Sequence, residues 1–209
     1  MKSSPRLGIV DYGLGNLASV AGAVERLGCE PLISGKSQAL SSADALILPG
    51  VGAFGDGIKN IRQRNLVETL EKLVLGDLKP ILCICLGFQL LATNGSEFGE
   101  HRGLGWIDAT IERIRPDPPS LRVPHVGWDE LHQVRDCALF EGIPQDSLFY
   151  YVHSYAMVSA DGDQIVGECD YGGPFIAAIC KENIFGVQFH PEKSQRHGLR
   201  LLRNFVQQI

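Results

Sequence analysis

Two short segments carry the residue types for nucleophilic chemistry. Cys83-Ile84-Cys85-Leu86-Gly87-Phe88-Gln89 follows the apolar run Pro80-Ile81-Leu82, and Gln188-Phe189-His190-Pro191-Glu192 lies much later in the chain. A cysteine with a distant histidine and carboxylate is the minimum set for a thiolate nucleophile served by an oriented base. In this reading Cys85 attacks, His190 moves the proton and Glu192 holds one imidazole nitrogen. The roles are those of a serine triad, filled by other residues in another order. Each segment alone has a plainer reading. A cysteine in a strand is usually an inert small hydrophobe, and a His-Pro-Glu run is often only a turn. Together, with the cysteine at an elbow, they favour catalysis.

The elbow follows from the neighbours. Ile81, Leu82 and Ile84 are apolar without strict alternation, the pattern of a parallel strand covered on both faces. Gly87 lies just beyond, and residues 86–93 read as a helix with Leu86, Leu90 and Leu91 turned inward. Cys85 then sits on a sharp strand-to-helix turn at the carboxyl edge of the sheet. The positive end of the helix and a nearby histidine would both favour thiolate, and the Leu86 N–H is a candidate oxyanion donor. His190 closes a second apolar strand over 184–189.

These motifs resemble the class I (triad) glutamine amidotransferase family. Four further segments narrow the resemblance: 11–17 (DYGLGNL), 48–54 (LPGVGAF), 124–128 (PHVGW) and 151–156 (YVHSYA). In order and spacing they are similar to the glutaminase subunits of imidazole glycerol phosphate synthase, which serve histidine biosynthesis. The similarity runs from about residue 7 to the C-terminus. It implies hydrolysis of glutamine through a γ-glutamyl thioester on Cys85, with His190 protonating the departing ammonia and then activating water. Gly50, Val51 and Gly52 would supply an oxyanion N–H beside that of Leu86. Gln89, Glu97, Ser154 and Tyr155 would hold the polar groups of glutamine. Gly50 or Gly52 taken singly also reads as a flexible turn after a strand.

Neither a cofactor nor a metal is implied. A partner is. Free ammonia is mostly ammonium in water, and ammonium is no nucleophile, so a glutaminase serving synthesis must pass NH3 along a sheltered path. No ammonia-using domain is legible in the sequence. The resemblance supplies a TIM-barrel cyclase subunit as the heterodimer partner, which would make imidazole glycerol phosphate and an aminoimidazole carboxamide ribotide. It puts Trp128 and Tyr151 at the contact, as large aromatics suited to anchoring interfaces. Either also reads as a core or strand-pairing aromatic.

Three residues depart from the family pattern: Cys83 where glycine is usual, Phe88 for methionine, and Asp129 for asparagine. Cys83 adds a second thiol, although only Cys85 has the Leu-Gly-x-Gln continuation. Trp106 and Asp129 leave open a paralogous glutaminase that feeds a sugar-nucleotide amidating synthase of surface polysaccharide biosynthesis. A dinucleotide site is a further alternative, since Gly13-Leu14-Gly15-Asn16-Leu17-Ala18 matches Gly-x-Gly-x-x-Ala after a strand. Its required acidic residue is missing where the second strand ends, at Ile33-Ser34-Gly35-Lys36. A regulatory descendant is disfavoured by the presence of all three triad residues. A cysteine peptidase would share the triad but has no use for the partner-facing motifs.

The 209 residues carry a net charge of −5 and 44% hydrophobic residues, which suits one globular domain over 1–209 and gives no electrostatic footprint for nucleic acid. Six cysteines show no metal-ligand spacing, and no apolar stretch approaches membrane-spanning length. Met1 to Pro5 shows no signal core, so a reducing cytoplasm is expected, with no membrane association.

Strands are expected at 7–10, 31–34 and 45–48, with helices at 16–27 and 56–75, before the nucleophile strand and helix. From Gly105 the pattern turns hairpin-like: strands at 106–114, 148–158, 164–170, 175–181 and 184–189, then a helix over 194–208. The fold class is α/β, a mostly parallel open sheet flanked by helices, with an antiparallel extension in the C-terminal half.

Overall fold

The computed structural model describes residues 4–209. The reading of Met1, Lys2 and Ser3 as free of a signal core lies outside the described residues. The first half alternates strand and helix: β1 (Arg6–Val10), α1 (Leu17–Arg26), β2 (Glu30–Ser34), α2 (Ser37–Ser41), β3 (Ala45–Gly50), α3 (Phe54–Gln63) and α4 (Leu66–Leu70). Then come β4 (Ile81–Cys85), α5 (Leu86–Gln89), β5 (Ala92–Gly95) and β6 (His101–Arg102). The rest is strand-rich: β7 (Ile107–Arg113), β8 (His125–Gln133), β9 (Ser147–His153), β10 (Tyr155–Ser159), β11 (Ile165–Asp170), β12 (Pro174–Lys181) and β13 (Ile184–Val187), closed by α6 (Gln195–Val206).

The sheet runs β2-β1-β3-β4-β13-β12-β10-β7-β5-β6, with β11 pairing β12 and β8, and β9 pairing β8. The first five strands are parallel; from β12 on, most pairs are antiparallel. Strands β3, β4 and β13 are buried along their whole length, which is why their sequences are continuous apolar runs. One face packs on α1 and α6 through Val20, Val24, Leu201 and Phe205; the other packs on α3 and α4 through Ile58, Ile61, Leu66 and Leu70. Within β4, Leu82 and Ile84 join the first layer while Ile81 and Cys83 join the second, the alternation that a strand requires.

Several expected elements differ. The helix expected over 86–93 is a single turn, Leu86–Gln89. Its continuation fails because another segment takes its carbonyls: Leu104 N–H bonds to Leu90 O, and Trp106 N–H to Leu91 O. The chain then enters β5 beside β7. The helix expected over 56–75 begins at Phe54, breaks at Asn65 with φ 55°, and resumes as α4 and a π-helical turn, Glu71–Gly76. The single strand expected over 148–158 divides at Ser154, so β9 pairs with β8 while β10 joins β7 and β12. Strand β8 lacks an apolar run, since its burial pattern is mostly open, and the sequence gives it little signal.

The β3–β4 register sets Gly50 opposite Cys85, so the loop after β3 lies beside the end of the nucleophile strand. Gly87 packs against the end of β3, and a Cβ there would overlap the Leu48 carbonyl oxygen. Gly87→Ala should therefore cost about 2–3 kcal/mol of overpacking and lower Tm by roughly 5–10 °C in thermal unfolding. A variant melting with the parent would show that this contact is not tight.

Candidate active site

Cys85 ends β4 at φ 54° and ψ −110°, a positive-φ conformation that is strained for a residue with a Cβ. The turn carries its sulfur out of the sheet, and the residue as a whole is 6% exposed. Leu86 begins the helical turn, so its N–H is one that a helix leaves without an internal partner. The expectation that a helix dipole favours the thiolate loses force, because one turn sums few peptide dipoles.

His190 follows β13, the strand that pairs directly with the sulfur's own strand β4. Pro191–Lys193 form a 3-10 turn that brings Glu192 back on the imidazole, with Nδ1 2.8 Å from Glu192 Oε1. Both side chains are buried, and the turn is clamped by Ser194, whose hydroxyl donates to His190 O at 2.6 Å. A carboxylate on Nδ1 requires a proton there, which turns Nε2 to the sulfur side. Nε2 has no hydrogen-bond partner among the described residues. Burial pulls the His190 pKa down, but the neighbouring Cys85 side chain and then Glu192 outweigh it and raise it to about 10.

Cys83 is fully buried on the opposite layer, and burial pushes its thiol pKa far up. It is an inert core thiol in this setting. Tyr12 also lies close, with its pKa raised by burial first and then by Cys85 and Cys83. Its hydroxyl has no partner among the described residues.

A cavity of about 270 Å³ opens over the sulfur. Val51, Gly52, Cys85, Leu86, Gln89, Glu97, Ser154 and Tyr155 line it, together with Pro124, Val152 and His153. Gly52 has φ 117°, which a side chain would oppose, so the loop needs glycine there. Gly50 closes β3 behind the cavity, where a Cβ would meet Tyr12 Oη and Leu86. Glu97 accepts from Phe54 N–H at 2.8 Å, which ties the cavity wall to the start of α3. Gln89 is 4% exposed, and its amide donates to Tyr155 O at 2.8 Å and Gln188 Oε1 at 3.0 Å.

The aromatic pair falls out differently from expectation. Trp128 is 43% exposed on β8, whereas Tyr151 is 0% exposed, stacked on His125 with centroids 5.0 Å apart. A fully buried ring cannot anchor a partner. Side chains alternate along β9, so Tyr150 takes the outer face, opposite Trp128 in register and 5.9 Å from its ring. Lys193 Nζ stands 5.7 Å from the Tyr150 centroid.

Two histidines that the motifs contain were given no role by sequence reasoning. His125 and His153 are register partners on β8 and β9, with Nδ1 of the first 3.1 Å from Nε2 of the second. His153 Nδ1 donates to Tyr155 O at 2.9 Å, and Asp129 Oδ2 lies 3.4 Å from His125 Nε2. Burial holds the His153 pKa down to about 3, so it is neutral. No local pattern marks this pairing, because it arises from strand register.

The arrangement can present a nucleophile, shuttle a proton at its sulfur, and hold a small polar molecule above both. The chain matches the model of the glutamine amidotransferase class-I family over residues 8–209. It is 42% identical to imidazole glycerol phosphate synthase subunit HisH 2 of Nitrobacter winogradskyi, over 97% of this chain and 98% of that protein. It is 43% identical to the HisH 2 subunit of Pseudomonas aeruginosa, over 96% and 98%. Among solved structures, PurLQS from Thermotoga maritima superposes with a TM-score of 0.78 at 21% identity, over 98% of this chain and 99% of that one, a likeness of fold.

The raised pKa of His190 gives a pH prediction. It lies above the usual 6.5, so the bound proton stabilises the fold fully below about pH 6.5, and the contribution is lost as pH rises through about 10. Cys85→Ala removes the leading raising neighbour. NMR titration of the imidazole should then find His190 losing its proton at lower pH than in the parent. Identical titration in both would remove the sulfur from its surroundings.

Proposed function

The chain belongs to the class-I glutamine amidotransferase family, and on that premise we propose that it hydrolyses glutamine to glutamate and ammonia as the glutaminase subunit of an imidazole glycerol phosphate synthase. The observation that carries the chemistry is the buried His190–Glu192 pair at 2.8 Å beside the strained Cys85 elbow, next to a cavity of about 270 Å³. Cys85 attacks the side-chain carbonyl carbon. The tetrahedral oxyanion faces the Leu86 N–H and the loop of Gly50, Val51 and Gly52. As the C–N bond breaks, His190 gives its Nε2 proton to the departing ammonia, leaving the thioester on Sγ. His190 then takes a proton from water, the hydroxide attacks the thioester, and glutamate leaves. Glu192 holds the imidazole orientation throughout. Glu97 takes the α-ammonium of glutamine, and Gln89, Ser154 and Tyr155 hold its other polar groups.

The ammonia passes to a TIM-barrel cyclase subunit docked on the outer face of the β8–β9 ribbon. That face exposes Val126, Trp128 and Leu148, large apolar side chains that a docked partner would cover. Tyr150 and Lys193 border it, and Lys193 directly follows the triad carboxylate. Partner binding there would bear on the turn that holds Glu192. The relatives are named as subunits, which accords with a partner. We place the protein in the cytoplasm; its six free cysteines suit a reducing compartment, and no helix among the described residues is long and apolar enough to cross a membrane.

The reading as a sugar-nucleotide amidating partner is not favoured. Trp106 is 5% exposed in the core and Asp129 turns to His125, so neither residue marks a different docking surface. The test is glutamate release by the purified chain, alone and with the cyclase and its ribonucleotide ligand. Turnover should rise strongly with the liganded cyclase, and Cys85→Ala should lose at least about a thousandfold in kcat. Indifference to that cyclase would point to another synthase, and turnover surviving in Cys85→Ala would remove the nucleophile assignment.

A further inference from the structure

We propose that Gln188 is a further catalytic residue, whose buried amide donates an N–H to the Cys85 thiolate and holds the sulfur ready for attack. The inference rests on Cys85 being the nucleophile. Gln188 is 0% exposed at the end of β13, and its Nε2 lies 3.7 Å from Cys85 Sγ. On another side of the sulfur is the Val152 carbonyl, 3.9 Å away. The two neighbours answer to the two protonation states. A thiol gives its S–H to the Val152 oxygen, while a thiolate accepts from the Gln188 amide.

The direction of the amide is what makes the donor reliable. A side-chain amide presents oxygen or NH2 according to its partners, and here a backbone carbonyl fixes the choice. Tyr155 O can only accept, so Gln89 turns its NH2 towards it at 2.8 Å. The same NH2 donates to Gln188 Oε1 at 3.0 Å, which leaves the Gln188 NH2 for the sulfur. Reversing Gln188 would set two NH2 groups together and an oxygen against a thiolate, among buried side chains. Tyr155 O is itself held by the neutral His153, backed by His125 and Asp129. A chain of polar contacts thus runs from Asp129, beside the exposed Trp128, to the sulfur.

The ionisable groups around Cys85 leave room for such a donor. Tyr12 and Cys83 are kept protonated by burial, and His153 is neutral. His190 is the one that supplies positive charge, and it must surrender a proton to the leaving ammonia during the reaction. A donor that cannot be deprotonated holds the sulfur while that charge changes.

The test is alkylation of Cys85 by iodoacetamide across about pH 6 to 10, with the labelled residue identified by peptide mapping. Gln188→Met removes the donor at similar volume, and Gln188→Glu keeps the shape while placing a carboxylate oxygen near the sulfur. In folded variants the alkylation rate at neutral pH should fall about tenfold for Gln188→Met and further for Gln188→Glu, with the profile displaced to higher pH. Glutaminase kcat should fall in the same order. Should Gln188→Met fail to fold, the profile of Gln188→Glu decides. A profile unchanged from the parent in a folded variant overturns the proposal. Failure of Cys85 to label in the parent, while Cys83 labels, would instead remove the nucleophile assignment on which it rests.

Discussion

Cys85 takes φ 54° and ψ −110°, and the chain around it is arranged to impose that conformation. Such backbone costs on the order of 1–3 kcal/mol and persists only where its surroundings over-determine it. The surroundings do so from three sides. Gly87 lies against Leu48, Gly50 lies against Tyr12 and Leu86, and β4 is held between β3 and β13 in parallel register. The price of each close approach is a glycine or a wholly buried strand. In return the sulfur leaves the sheet at a fixed point, and every other site residue can be placed relative to it.

Two kinds of neighbour then meet at the sulfur. Charge comes from one buried pair, His190 and Glu192, supported on a turn that α6 clamps: a Cβ on Gly198 would overlap the Pro191 carbonyl. Shape and direction come from neutral groups, Gln89, Gln188, His153 and the Tyr155 carbonyl, whose hydrogen bonds fix one another. The division has a physical sense. A buried charge pair is strong but sensitive to anything that moves it, whereas a neutral network keeps its geometry when a proton changes hands. His125 and His153 of this network are register partners on β8 and β9, and Trp128 and Tyr150 pair in the same ribbon.

Much of the site was legible in the sequence because its residues cluster in short motifs that fall at strand ends. Cys85, Leu86 and Gln89 sit within one elbow, and His190 and Glu192 within one turn, so local order places them. The parallel half was legible for a similar reason, as buried strands read as apolar runs. What escaped depends on register and competition between segments. The helix after Cys85 stops early because residues 104 and 106 take its carbonyls, and nothing within 86–93 announces that. Tyr151 is buried while Tyr150 pairs with the exposed Trp128, because one residue along a strand reverses the face. The His125–His153 pairing and the Gln188 contact are likewise products of long-range pairing.

The central claim is that Cys85, and no other thiol, forms the bond to glutamine. The most direct measurement is covalent labelling with a diazoketone analogue of glutamine, 6-diazo-5-oxo-L-norleucine, followed by peptide mapping. The account predicts one label, on Cys85, with loss of glutaminase in proportion to labelling and protection by glutamine. A label on Cys83, or full activity after Cys85 is labelled, would contradict it.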